Sequence, residues 1–472
     1  MRLQSSAKRN TIGLNTNVKD FLQFNRGSQG RLNWEVLRFF LEIRSINCKR
    51  EKNEDDGCDY LLLRYNRTIK TARDTLPIYS SYNNYIKNQV SDAAILDGCY
   101  DPANSTSTVA PIQLYHPVFA YFLHAMGNTS DLPEDLVVDI GKLMRYASGI
   151  AVTESERSRS LPSRMLSDIL GFSLNKTSAG HTIFHNRRSP PVQTVLLATI
   201  EEKPKLGSGG DVTIQGGCSY VDFWRSEDHQ ELRQCGCCPS FILCLAGRWL
   251  IVMGAVLTAQ PMVQRLTDFT WLGTSPAIND AQCIRIAGVL RAPKSSIGIL
   301  DDYYRDLVHL PVDSPLHFFP FPTSFQNDNQ PRVHFKYLQS LKPLDPACVA
   351  FLAEIIPDKS KVVVKFVQTY SGEARRLLAQ HCLAPHLLYC EQLGEDGAGY
   401  GALKMVVMNY VEGEVATNMF DGALSPHVVN DLERALNILH GEDLVYGNLR
   451  KPNIIIVSGP NGDDAVQLID FD

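Results

Sequence analysis

VYGNLRKPNIIIV, Val445–Val457, followed after a polar segment by LIDFD, Leu468–Asp472, is the stretch that decides how the C-terminal part of this 472-residue chain is read. It sets two amides, Asn448 and Asn453, five residues apart in a polar loop, then an aliphatic run, then Asp470 against Phe471. Just upstream a helix is expected over Pro426–His440. Ser425 is placed to cap it, Pro426 suits its first position, and Val428, Val429, Leu432, Leu436 and Leu439 recur at helical spacing. Further upstream three strands are expected at Val333–Leu338, Cys348–Ile355 and Lys361–Val367, then a helix at Gly372–Cys382 and strands at His386–Glu391 and Leu403–Tyr410. The third strand reads VVVKF and carries Lys365 into an apolar run, where an amine is costly unless paired. Glu373 on the following helix is the candidate partner.

This order of elements resembles the protein-kinase fold. A kinase catalytic loop reads H-R-D-L-x-x-x-N, in which Asp orients the substrate hydroxyl and Asn holds a metal ion, and a D-F-G motif supplies the second metal ligand. Tyr446, Gly447, Asn448, Leu449 and Asn453 fall on that spacing, and Asp470-Phe471 falls where D-F-G begins. MNYVEGE, Met408–Glu414, is similar to the hinge between kinase lobes. The wording Y-G-N, R-K-P-N and D-F-D is similar to a divergent group of fungal kinase-like proteins, the fungal-type kinases and Crinkler-related effectors. The resemblance implies a kinase-like N-lobe and the start of a C-lobe over residues 332–472, with ATP and magnesium as cofactors. It further implies that Lys365, paired with Glu373, holds phosphates, that Met408 and Tyr410 meet the nucleotide, and that Asn453 and Asp470 hold magnesium. Asn448 then occupies the catalytic-base position.

Three departures from the kinase pattern bear on activity. An amide at position 448 hydrogen-bonds a hydroxyl but cannot accept its proton, so transfer is expected to be slow while nucleotide binding survives. LKPLDPACVAF, Leu341–Phe351, stands where kinases carry a glycine-rich loop and has no glycine, so backbone amides approach phosphate less closely. The sequence given ends at Asp472, before an activation segment, so the domain reads as truncated. The helix at Pro426–His440 is then expected to expose part of its apolar face, with five aliphatic side chains worth roughly 1.5–3 kcal/mol each when fully buried. The expected function is an ATP-binding, kinase-like protein with little phosphotransfer, a pseudokinase or truncated kinase. A non-catalytic scaffold with an unknown protein partner and a metal-dependent nuclease are the alternatives.

The nuclease alternative rests on residues 111–310, expected as an α/β domain with helices at Pro133–Tyr146 and Ser163–Leu170 and a further helix near Ala281–Leu290. Its expected strand Thr194–Ile200 runs into Glu201-Glu202-Lys203, followed by Gln215 and Tyr220 near a helix. That E-x-K order is similar to the restriction-endonuclease-like nucleases, whose carboxylates hold magnesium and whose Lys lies near the attacked phosphate. No aspartate occurs between Asp168 and Asp211, and an ordinary charged strand end is the plainer reading of the triplet. The overall expectation is an α+β chain: residues 1–110 of unknown role, 111–310 α/β, 311–331 a proline-rich linker, and 332–472 kinase-like.

Charge and composition narrow the partners. A net charge of -5 argues against a chain whose main task is coating nucleic acid, so nucleic acid is expected only if residues 111–310 are nuclease-like. The apolar run Phe241–Ala259 carries Arg248 near its middle and divides at Gly247-Arg248 into two strand-length pieces, which predicts a hairpin and no membrane association. The run CGCC at Cys235–Cys238 lacks separated C-x-x-C knuckles and so is a poor zinc site. Twelve irregularly spaced cysteines and the absence of an apolar signal core near Met1 point to an intracellular protein with reduced thiols.

Overall fold

The computed structural model describes residues 57–75, 82–91, 93–99, 109–128, 132–150, 162–172, 175–177, 180–186, 194–207, 210–275, 279–307, 315–328, 330–342, 345, 349–356, 358–394, 397–420, 424–458 and 464–472. A helix suggested by the sequence over Trp34–Ile46, the charged segment up to residue 56 and the Ser/Arg-rich patch from Ser155 to Leu161 lie outside them. The fold is mixed α+β with several sheets, and the described residues divide into two compact units. The larger holds residues 57–370 with Leu388–Tyr410, and the smaller holds Ser371–Leu387 with Val411–Asp472.

The larger unit begins with α1 (Gly57–Thr75), α2 (Tyr82–Gln89), α3 (Pro117–Gly127), α4 (Glu134–Ala147) and α5 (Pro162–Leu170). There follow β1 (Asn175–Thr177), β2 (Gly180–Asn186), β3 (Thr194–Lys203), α6 (Val212–Trp224), α7 (Gln230–Cys235), β4 (Ser240–Ala246), β5 (Trp249–Leu257), β6 (Pro261–Arg265), β7 (Thr270–Trp271) and α8 (Asn279–Asp306). The seven strands form one sheet in sequential order, with β7 paired to β5. β3 and β4 are parallel and the other pairs antiparallel. A parallel pair needs a crossover, and α6 with α7 supplies it.

Both faces of this sheet are covered, which is why β4 and β5 read as unbroken apolar runs. The residues after Phe241 fold back at Gly247, whose φ of +59° suits glycine, so Ala246 pairs with Trp249 in the expected hairpin. Among the described residues no helix is long and apolar enough to cross a membrane. Phe119 of α3 packs edge-on against Phe241 at 5.4 Å, and the missing Cβ of Gly254, opposite Phe241, admits Phe119 and Ile112. On the other face α6 rides over Ile242, because a Cβ on Gly216 would lie 2.5 Å from its methyl group.

A second sheet in the same unit comprises β8 (Ser324–Phe325), β9 (Val333–Ser340), β10 (Ala350–Ile356), β11 (Lys361–Val367), β12 (Leu387–Gln392) and β13 (Lys404–Asn409). Its order is β12-β13-β11-β10-β9-β8. One apolar core runs from the first sheet into this one, through Phe241 and Val252 to Phe335, Tyr337, Phe351 and Phe366. The proline-rich residues after 314 contribute to it. Phe318, Phe319 and Phe325 are buried, Phe319 stacks on Tyr337 at 5.4 Å, and the Tyr337 hydroxyl donates to the Pro322 carbonyl at 2.7 Å. Prolines there interrupt ladders without preventing burial of the aromatics between them.

The smaller unit comprises α9 (Gly372–Gln380), α10 (Ala416–Met419), α11 (Pro426–Gly441) and a three-stranded antiparallel sheet, β14 (Glu414–Val415), β15 (Ile454–Ser458) and β16 (Asp464–Leu468). Ser425 caps α11 by accepting from the Val428 N–H at 3.5 Å, and Pro426 opens the helix as expected. The expected exposure of the apolar face of α11 is corrected. Val428, Leu432, Leu436 and Leu439 are buried and Val429 is half-buried, because α9 and β16 pack on that helix.

Candidate functional site

The β15–β16 hairpin assembles the site in the smaller unit. Ile454 pairs with Leu468, so the residue before β15 meets the residues after β16, and the Ile469 N–H donates to the Asn453 carbonyl at 3.0 Å. That register carries Asp470 to the loop that precedes β15. Asp470 Oδ2 accepts from the side-chain amides of Asn448 at 3.1 Å and Asn453 at 3.2 Å. The Asn453 amide also donates to the Asn448 carbonyl at 3.0 Å, which fixes its nitrogen end inward and ties the loop to itself. The guanidinium of Arg450 stands 3.7 Å from the same Asp470 oxygen.

Neighbouring groups hold Asp470 in place. Its φ of +73° lies in the left-handed region, which Asp tolerates better than most side chains. The Tyr446 hydroxyl donates to the Ile469 carbonyl, and the Tyr446 ring meets Phe471 edge-on at 5.2 Å. Arg375 of α9, fully buried, lies 5.1 Å from the Phe471 ring and donates Nε to the Pro385 carbonyl at 2.8 Å. The Ser371 N–H donates to the Phe471 carbonyl at 2.9 Å. Lys451, also buried, donates to the Phe420 carbonyl at 3.2 Å and thereby anchors the middle of the loop.

Asn448, Asn453 and Asp470 are therefore brought together. Arg450 and Arg375 join them without having been singled out from the sequence. Arg450 carried one signal, its position between the two amides; nothing near Arg375 in the sequence announces Phe471. Asp470 and Asn453 offer the hard oxygens that magnesium takes. Oδ2 of Asp470 does not suit magnesium, because that oxygen is met by three N–H-bearing groups, one of them positively charged. Among the described residues no group of three or more His, Cys, Asp or Glu side chains is arranged to hold a metal ion.

The remaining kinase-motif residues are placed as follows. Lys365 is half-buried on β11, in register with Ala350 and Val406. Met408 is buried on β13 opposite Val363, and Tyr410, just past β13, donates its N–H to the Lys361 carbonyl at 3.1 Å. Glu373 is exposed in the first turn of α9, whose buried residues are Ala374, Arg375 and Leu378.

In the larger unit Glu201 and Lys203 lie on the α6 side of β3, at 2% and 6% exposure, and Glu202 between them points to the other side. Ser219 of α6 donates to Glu201 Oε1 at 2.6 Å. Gln215 stands one turn before Ser219 on α6, half-buried. The neighbouring strand β2 reads GHTIFHN, without an aspartate, and pairs Thr182 with Thr199. Asp97, unnoticed in the sequence, is held by Tyr85 and Gln89, and its carboxyl is pushed up by burial. Burial pushes the Cys218 thiol up to about 12, with the Asp97 and Glu201 charges adding to it. The buried Cys235, Cys237 and Cys244 thiols each donate to a backbone carbonyl, those of Glu231, Tyr115 and Val212.

Neither a protein-family model nor a curated protein matches this chain.

Proposed function

We propose that this chain is a kinase-like ATP-binding protein with little phosphotransfer, a pseudokinase of the divergent fungal type. One observation carries the reading: Asn448, Asn453 and Asp470 converge on a single carboxylate oxygen through the register of one hairpin. Elements in the expected order support it, namely three antiparallel strands, a helix, two further strands, and a capped helix before the loop. The roles of Lys365 and Glu373 on phosphate and of Met408 and Tyr410 on the nucleotide are carried over by motif position.

The chemistry follows from the side chains. In a kinase the carboxylate of the catalytic loop orients the attacking hydroxyl and takes its proton. Asn448 still offers a hydrogen bond but has no basic oxygen, and its amide is committed to Asp470. Positioning without proton acceptance favours nucleotide binding over transfer. The test is ATP binding by the full chain, measured by calorimetry, beside transfer of labelled phosphate to itself and to a protein mixture. Binding that falls on Lys365→Ala, with negligible transfer, is expected. Transfer at an ordinary kinase rate, unimproved by Asn448→Asp, overturns the pseudokinase reading, and absence of ATP binding overturns the whole of it.

A second reading concerns the larger unit, where the parallel β3–β4 pair, its α6 crossover and Glu201 with Lys203 on one face support a nuclease-like fold. The burial of both residues and the lack of an aspartate on β2 favour that fold without cleavage. Metal-dependent DNA cleavage lost in Lys203→Ala would establish an active nuclease instead.

A further inference from the structure

We infer that Arg450, with the amides of Asn448 and Asn453, takes the place of a metal ion at Asp470, so that nucleotide binding by this chain needs no divalent cation. The nucleotide part rests on the proposed function above; the part concerning Asp470 rests on geometry alone. Two carboxylates, one from the loop and one from the D-F-D position, would repel each other unless a cation lay between them. Position 448 carries an amide, and its N–H points at Asp470 Oδ2 at 3.1 Å. Arg450 places a permanent positive charge 3.7 Å from the same oxygen. Arg450 thus offsets part of the Asp470 charge.

Arg450 is held toward this site. Its side chain is 39% exposed, and its Nε is buried without a hydrogen-bond partner among the described residues, on the side that faces Asp470. Asn453 adds to the closure, since it is 4% exposed and its nitrogen is shared between the Asn448 carbonyl and Asp470. Magnesium at Oδ2 would have to displace the N–H groups already bonded to that oxygen and would meet the Arg450 charge. A cation already built into the chain removes the reason for recruiting one.

Two measurements on the full chain test this. In the first, nucleotide-free protein is titrated with manganese and the bound ion is read by electron paramagnetic resonance. Wild type and Arg450→Lys are expected to bind manganese no more tightly than Asp470→Asn does, whereas Asn448→Asp with Arg450→Gln binds it more tightly by about tenfold or more, a gain abolished by adding Asp470→Asn. Wild-type manganese binding that Asp470→Asn removes and Arg450→Gln leaves unchanged would overturn the inference. In the second, ATP affinity is compared in chelator and in magnesium, with values within about threefold of each other expected. ATP binding only with magnesium overturns the inference while leaving the proposed function standing. No ATP binding in either condition overturns the proposed function and the nucleotide part together, and the manganese titration still decides the role of Arg450.

Discussion

The side-chain amide of Asn448 donates to Oδ2 of Asp470 at 3.1 Å, so position 448 must present an N–H to its neighbour. Asn448→Asp replaces that donor by a second carboxylate. With no cation added, the new pair loses a hydrogen bond to a charged group and gains a repulsion, which together cost about 1.5–3 kcal/mol at neutral pH. One member of the pair then has a folded-state pKa above its unfolded value, so its proton is bound more tightly in the native state. The penalty is full above the raised pKa and shrinks as pH falls toward the ordinary carboxylate range. Urea unfolding of variant and wild type across that range should show the two converging in acid. A gap that stays constant with pH would mean the loss has a steric origin.

Gly399 joins the β12–β13 connection to α3. Its φ is +74°, and a Cβ built there would lie 1.8 Å from the Ala120 carbonyl oxygen, a backbone atom that cannot rotate away. Gly399→Ala should therefore cost about 2–4 kcal/mol, combining left-handed strain with overpacking. Gly401, also left-handed at φ +60°, meets nothing within 4 Å, so Gly401→Ala carries the strain without the clash and should lose about half as much. Unfolding midpoints of the two variants separate the contributions, and equal losses would rule out the contact with Ala120 as a cause.

The sequence revealed most where an apolar run had sharp ends. Trp249–Leu257 and Lys361–Val367 are strands over the spans expected, because each run is closed by turn-forming residues and buries apolar side chains along its length. The helix expected near Ala281–Leu290 instead continues to Asp306, past Pro293, because Ile297, Leu300 and Tyr304 keep its buried face going. α1 was not expected, since its charged sequence hides the few positions, Leu61, Tyr65 and Ile69, that enter the core. At the site, the spacing of Asn448, Asn453 and Asp470 was legible because it reflects one loop and one hairpin. Arg375 was not, because its contact with Phe471 joins residues far apart in the chain.

Ser219 supplies a donor to Glu201, a carboxylate at 2% exposure, across 2.6 Å. Ser219→Ala removes it and leaves a buried carboxylate oxygen short of a hydrogen bond, at a cost of about 1–3 kcal/mol. Ser219→Thr keeps the hydroxyl and should lose less. Chemical denaturation gives the comparison. If Ser219→Ala proves neutral, Glu201 is held by its other partners and α6 does not depend on this bond.

His116 caps α3 with its ring. Its Nδ1 accepts the Val118 N–H at 3.3 Å, and the ring meets Tyr303 edge-on at 4.5 Å. Burial lowers its pKa from 6.5 to about 3, so the native state holds the neutral imidazole where the unfolded chain would already be protonated. The unfolded state then binds more protons between those two values, and stability falls as pH drops through 6.5 toward 3, by at most about 1.4 kcal/mol per pH unit for this one group. Above pH 6.5 the contribution is constant. His229, half-buried and lowered by that burial with Arg233 adding to it, acts in the same direction, so the wild-type slope contains both groups. His116→Asn keeps a capping oxygen and cannot titrate. The difference between its urea midpoints and those of wild type at neutral and at mildly acidic pH therefore isolates His116. The variant should lose stability less steeply on acidification, and parallel curves would place the acid sensitivity elsewhere.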